Sequence, residues 1–257
     1  MPIAAQEFFM AENFSKLTFE YFELARKNRK NGAWFEKNKN LYLDHVKAPF
    51  ANLVELLDMH VGPRLPDIAI AKRKIKRPIY SKNRPQPDGS VVRPQTSAYF
   101  AQKQNTRFEW NPGIYLEFGN EETPGMVGIG LYEPSGRQRT RLREAIVNDY
   151  DTIKGILSGR KVKAWGGIGG ERYIRFPRGY DEQSRAAPLL WHKEFFLSRK
   201  FTKAEIIKKD FIPKLVMELE AAAPFLIWIR DSVGTYDGRY QFGKRPGQEL
   251  AGIFDRN

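Results

Sequence analysis

The chain has no cysteine, which excludes disulfides, thiolate nucleophiles, zinc fingers and cysteine-ligated iron–sulfur clusters together. Histidine is almost as scarce. His45, His60 and His192 form no His-x-x-x-His or His-Glu-x-x-His arrangement, and His45 and His60 would stand about 22 Å apart on one continuous helix. No metal site is therefore expected. The Gly-x-Ser-x-Gly nucleophile elbow is missing. So are long apolar runs: the longest, 221–229, contains Pro224 and falls far short of the roughly 20 residues that span a bilayer. The first residues, broken by Gln6, Glu7, Glu12, Asn13 and Lys16, lack a signal-peptide design. These absences lead to the expectation of a cytoplasmic protein that uses no membrane and no cofactor.

What is present is a basic and well-filled chain. Of 257 residues, 43 are Lys or Arg against 30 Asp or Glu, a formal charge of +13, and 41% are hydrophobic. That apolar fraction supports a packed core and excludes wholesale disorder, while the charge suits an anionic partner. The apolar spacing of Phe19, Phe22, Leu24 and Ala25 predicts a helix capped by Ser15 or Thr18. A second helical stretch, 34–59, is expected to kink or to break into two helices at Pro49. Short runs at 97–101, 113–118 and 126–132 read as strands, and the alternation of Ile114, Leu116 and Phe118 with Tyr115 and Glu117 predicts a sheet with one dry face. Helical spacing returns over 137–157, with Gly159 placed to end it. Strands are expected at 173–176 and 194–198. Thr202-Lys-Ala-Glu205 is a capping box, and 222–233 predicts a last helix with Pro224 in its first turn. The order helices, strands, helices predicts an α+β fold, in which an antiparallel or mixed sheet from the middle of the chain is packed by N-terminal and C-terminal helices. Residues 1–233 are expected to form one domain, followed by a tail, 234–257. The absence of βαβ alternation excludes a doubly wound nucleotide fold.

Several spaced motifs carry a family resemblance. Trp34-Phe35, Asn38-Lys39, Tyr42, Val46 and Pro49 are followed by Gly128-Ile-Gly130, by Arg143 with Ile146, by Pro177-Arg178-Gly179-Tyr180-Asp181 and by Ala223-Pro224. In this order, over about 19–233, the chain resembles the bacterial and fungal family of conserved hypothetical proteins known as domain of unknown function 2461. The resemblance implies a single α+β domain with no established activity and no catalytic residue to carry over. Over 72–101 the chain departs from the family pattern, in which an Asp-Thr-Arg-Phe core precedes Lys-Asp-Lys and Pro-Tyr-Lys-Thr. Ile79-Tyr80-Ser81-Lys82-Asn83-Arg84 and Pro94-Gln95-Thr96-Ser97 resemble remnants of it, without the Asp and the paired Lys.

The chemistry-bearing residues are mostly cations. Lys72, Arg73, Lys74, Lys76, Arg77, Lys82, Arg84 and Arg93 form a basic segment in which Asp88 is the only acid, with Tyr80 inside it and Tyr99 beside it. Read one way, it tracks phosphates of a nucleic acid or an anionic small molecule while bases stack on the tyrosines. Read the other way, it is a solvated loop or strand edge whose cations prevent aggregation. Arg143 and Arg178 would lend further cations if the fold brings them near. A small phosphate- or carboxylate-bearing substrate in a cleft with Lys39, Tyr42 and Tyr115 is the alternative, and an acidic protein partner is a third. His192 could act as a general base. The glycines of 166–170 read as a loop without dinucleotide-fingerprint spacing. Gly238 to Lys244 imitates a phosphate-binding P-loop, but Arg245 stands where a Ser or Thr must hold magnesium and Pro246-Gly247 where a helix must begin.

Overall fold

The computed structural model describes residues 13–68, 70, 77–81, 86–101 and 111–234. The first helix, α1 (Lys16–Lys27), follows the N-cap residue Ser15, whose backbone N–H donates to Thr18 Oγ1 at 2.9 Å. It buries Phe19, Tyr21, Phe22 and Ala25. The predicted helical stretch after it is divided into α2 (Gly32–Lys37), α3 (Lys39–Tyr42) and α4 (Ala48–His60), with a π-helical turn, Leu43–Lys47, between the last two. Pro49 lies in the first turn of α4, directly after the π-helical turn, and offers no N–H to the carbonyl of His45 four residues earlier. That carbonyl is not left empty. The fully buried Thr18 hydroxyl donates to it at 2.6 Å, tying α1 to the turn.

The sheet follows. Strands β1 (Thr96–Ala101), β2 (Gly113–Phe118) and β3 (Gly125–Leu131) form an antiparallel meander. The chain then leaves through α5 (Gly136–Asn148), α6 (Tyr150–Ser158) and α7 (Arg160–Lys163), touches the sheet edge as β4 (Ile168–Gly169), passes α8 (Ala187–Leu190), and returns as β5 (Phe195–Phe201). The strand order is β1-β2-β3-β5-β4 with every pairing antiparallel. Helices α9 (Lys203–Ile206) and α10 (Phe211–Val233) complete the described fold. The Thr202 capping box opens α9 as read from sequence: Thr202 Oγ1 accepts from the Glu205 N–H at 3.3 Å, and Glu205 Oε2 accepts from the Thr202 N–H at 2.8 Å.

Three elements differ from the expectation. The helix over 137–157 is two helices that part at Asp149, whose carboxylate accepts a 2.8 Å bond from the Trp228 indole. The segment 173–176 forms no strand; its neighbourhood contributes only an isolated bridge, Arg172 to His192. The last helix begins at Phe211 rather than near residue 222, so Pro224 sits inside it. Buried Phe211, Ile212, Leu215, Val216 and Leu219 extend its apolar stripe upstream, and burial of that stripe outweighs the one backbone bond that Pro224 removes.

The sheet has a dry face and a polar face, as the alternation on β2 predicts. Phe100, Ile114, Leu116, Phe118, Val127, Ile129, Leu131, Phe195, Leu197 and Phe201 are all buried, and their core runs on into α1, α4 and α10. Phe118 is its aromatic hub, with ring centroids 4.6 Å from Phe14, 5.7 Å from Phe50 and 6.1 Å from Phe211. The opposite face presents Ser97, Tyr99, Tyr115, Glu117, Gly128 and Ser198. No helix among the described residues is long and apolar enough to cross a membrane.

Candidate functional site

The cations that converge in space belong to α5 and to the loop between β4 and β5. Leu142 and Ile146 bury the inner face of α5, so the arginines around them emerge in different directions. Arg141 reaches the end of α10 and donates to the Val233 carbonyl at 2.9 Å, satisfying a group that the helix end leaves open. Arg143 turns to the loop and lays its guanidinium 4.7 Å from the centre of the Tyr173 ring. Lys193 stands 6.0 Å from the same ring while pairing with Glu171 at 2.9 Å.

The loop that carries Tyr173 is held at several points. The Tyr173 N–H donates to the Trp191 carbonyl and the Lys193 N–H to that of Glu171, each at 2.8 Å. Phe176 packs edge-on against Trp191 with ring centres 5.2 Å apart. Gly179 turns the chain at φ +84°, a conformation that a side chain would strain. Between these anchors Arg172, Arg175 and Arg178 are exposed and have no carboxylate partner among the described residues, and Ile174 between them is 94% exposed. Residues 137–178 contain 11 Lys or Arg against four Asp or Glu, so seven of the chain's 13 surplus charges lie there.

Two polar atoms under this surface lack a hydrogen-bond partner among the described residues: the Tyr173 hydroxyl and His192 Nδ1. Burial, reinforced by Arg172, holds the His192 imidazole below the ordinary histidine range. The consequence for stability has a definite sign. The unfolded chain binds a proton to this histidine more readily than the folded one, so the contribution is fully present above about pH 6.5 and is lost as pH falls below that value toward the folded pKa. A His192→Gln variant is expected to show a flatter decline of Tm between about pH 7 and pH 5. An unchanged decline in thermal melts would refute the assignment.

Those of the residues singled out from sequence that are described are not gathered at one place. Arg143 stands on the Tyr173 platform, and Arg178 is exposed five residues further along the same loop. Arg77 is exposed. Arg73, Lys74, Lys76, Lys82 and Arg84 lie outside the described residues, as does the P-loop-like run. Arg93, at the end of the basic segment, is buried with its guanidinium 3.7 Å from the Tyr80 ring centre, in a short pairing of Ile79 with Val92. The three cleft candidates are separated. Lys39 is exposed. Tyr42 is buried in the helical layer, 5.5 Å from Tyr21 and 6.0 Å from Phe35, and burial pushes its phenol up to about 12. Tyr115 points from the other face of the sheet, where its hydroxyl donates to Glu117 at 2.6 Å and burial raises its pKa far above the ordinary phenol value. Arg172, Arg175 and Lys193 were not singled out from sequence. For the two arginines the signal was the cadence Arg-Tyr-Ile-Arg-Phe-Pro-Arg over 172–178, in which three cations are interleaved with Tyr173, Ile174 and Phe176.

Fold and surface together define the class: an α+β protein whose antiparallel sheet is backed by helices and flanked by a basic, aromatic-anchored loop. A family model described as conserved hypothetical protein (DUF2461) matches residues 17–228. The match covers most of the chain, and the protein belongs to that family. No curated protein and no solved structure matches the chain.

Proposed function

We propose that this protein binds polyanions, nucleic acid foremost, across the platform formed by Arg143, Tyr173, Arg172, Arg175 and Arg178. The observation that carries the reading is the set of exposed arginines at 172, 175 and 178, with no carboxylate partner among the described residues, beside an arginine already seated on an aromatic ring. Like charges so close repel one another, and a row of phosphates is the partner that relieves the repulsion. Arg143 on Tyr173 adds a cation held in place before any ligand arrives. The exposed Ile174 gives the same surface an apolar contact for a base or sugar.

The test is fluorescence anisotropy of labelled single-stranded RNA, single-stranded DNA and duplex DNA at several salt concentrations. Binding is expected to weaken linearly in log salt, with a slope of about 0.7 to 0.9 per phosphate contacted. Replacing Arg172, Arg175 and Arg178 together by alanine is expected to lower that slope by about two to three and to weaken binding to all sequences alike. Wild-type slope in the triple variant, or no binding by the native protein at low salt, would overturn the proposal. In the second case thermal shift with small phosphates and carboxylates takes up the reading of an enzyme with an anionic substrate.

A further inference from the structure

A hollow of about 480 Å³ lies between the hairpin of α6 and α7 and the middle of α10, a size ordinary for a small-molecule site. Its walls are apolar, with Ile156 and Val162 from the hairpin and Ala221 and Pro224 from α10. Gly155, Gly159 and Pro224 are exposed, so the hollow opens to solvent. Two of its residues are poor choices for the helices that carry them. Pro224 stands inside α10, where it offers no N–H to the Glu220 carbonyl, and it is exposed rather than buried in the core. Gly155 stands inside α6, although glycine weakens a helix relative to alanine. Nothing around Gly155 calls for glycine. Its φ lies outside the left-handed range, and a Cβ there would meet no atom within 4 Å beyond its own helix. Two poor helix formers on different helices that line one hollow mark it as a place kept open.

The rim carries charge of one sign. Arg160 and Lys161 line the hollow, both exposed and with no carboxylate partner among the described residues. Residues 152–170 contain four Lys or Arg and no Asp or Glu. The acids of the facing stretch of α10 are already engaged: Glu220 holds Arg64 at 2.7 Å, and Glu218 pairs with Arg199. Neighbouring like charges repel, and one anionic group between them relieves the repulsion. The Arg160 guanidinium offers the planar pair of donors that a carboxylate accepts side by side. An apolar wall beside an unanswered cationic rim fits a ligand with one charged end and one apolar end.

We propose that this hollow binds an amphiphilic monocarboxylate, with its head on Arg160 and Lys161 and its hydrocarbon body along Ile156, Val162, Ala221 and Pro224. The body takes the apolar wall out of water, and the head supplies the counter-charge that the rim lacks. The arginine platform has no part in this site: none of Arg143, Arg172, Tyr173, Arg175 and Arg178 lines the hollow.

Isothermal titration calorimetry with octanoate tests this. The comparison compounds are acetate, a head without a body, and 1-octanol and octylammonium, the same body with a neutral or a cationic head. Octanoate is expected to bind saturably, and the other three about tenfold more weakly or less. Gly155→Leu is expected to keep or raise the native Tm, since leucine favours a helix where glycine does not. It is expected nonetheless to weaken octanoate binding about tenfold or more, because the new side chain takes the space of the ligand's body. Arg160→Gln and Lys161→Gln together are expected to weaken binding by about the same factor. Absence of octanoate binding by the native protein, equal binding of any comparison compound, or unchanged affinity in either variant would each overturn the proposal. So would loss of octanoate binding when Arg172, Arg175 and Arg178 are replaced by alanine, which would move the carboxylate to the platform. The platform itself is tested separately by the nucleic-acid titration.

Discussion

Truncating Phe118 to alanine is expected to remove about 3–5 kcal/mol of stability, the largest loss at any single buried position of the sheet. Phe118 is fully buried, and three rings from three parts of the chain close on it: Phe14 ahead of α1, Phe50 of α4 and Phe211 at the start of α10. Each lies at a separation where aromatic pairs add to simple burial. A cavity left among the three remaining aromatics collapses poorly, since no one of them can move into it without leaving its own neighbours. Against a total stability of about 5–15 kcal/mol for an ordinary domain, the loss is a large fraction. Chemical denaturation should show a lower midpoint with the slope retained. A change below about 1 kcal/mol would mean that the four rings do not form the hub of the core. Polyanion binding per folded molecule should be unaffected, because the four rings all belong to the dry interior and none of them belongs to the arginine platform.

Gly130→Ala is expected to be the second severe change. At φ +135° an L-residue is strained by about 1–3 kcal/mol. Here the added carbon would also meet the Phe195 oxygen at 2.5 Å and Phe196 Cα at 2.6 Å, atoms of backbone that cannot rotate away. Strand β5 would have to part from β3, and with it β4, which pairs only to β5. Failure to fold, or a Tm lowered by several degrees beyond that of Gly128→Ala, where an added Cβ would meet nothing closer than 3.8 Å, is the expected result in parallel thermal melts. Equal behaviour of the two alanine variants would refute the distinction between the glycines.

That pair shows how far the sequence reading reached. Gly128-Ile-Gly130 is legible as a motif, and both glycines read alike in one dimension. One is imposed by the backbone of a neighbouring strand about 65 residues away in the chain, and at the other a Cβ would meet nothing closer than 3.8 Å. The strands themselves were legible because alternation repeats every two residues: β2 was placed at Gly113–Phe118 with its dry and polar faces assigned correctly. The capping box at Thr202 was equally local. The helix 137–157 was read as unbroken because its apolar spacing continues across Asp149; the break there is accompanied by a bond to Trp228, a partner 79 residues distant. Lys39, Tyr42 and Tyr115 were grouped as a cleft by residue type, and burial separated them.

By itself the sequence determined the α+β class, the one-sided sheet, the polyanion-compatible charge and the family. Each of these depends on composition or on periodicities of two to four residues, which the chain displays without folding. Only the tertiary structure decided which cations share a surface and which tyrosine is sealed in the core. Those are distances between residues far apart in the chain, set by how the helices and strands pack, and packing is a property of the whole core rather than of any segment.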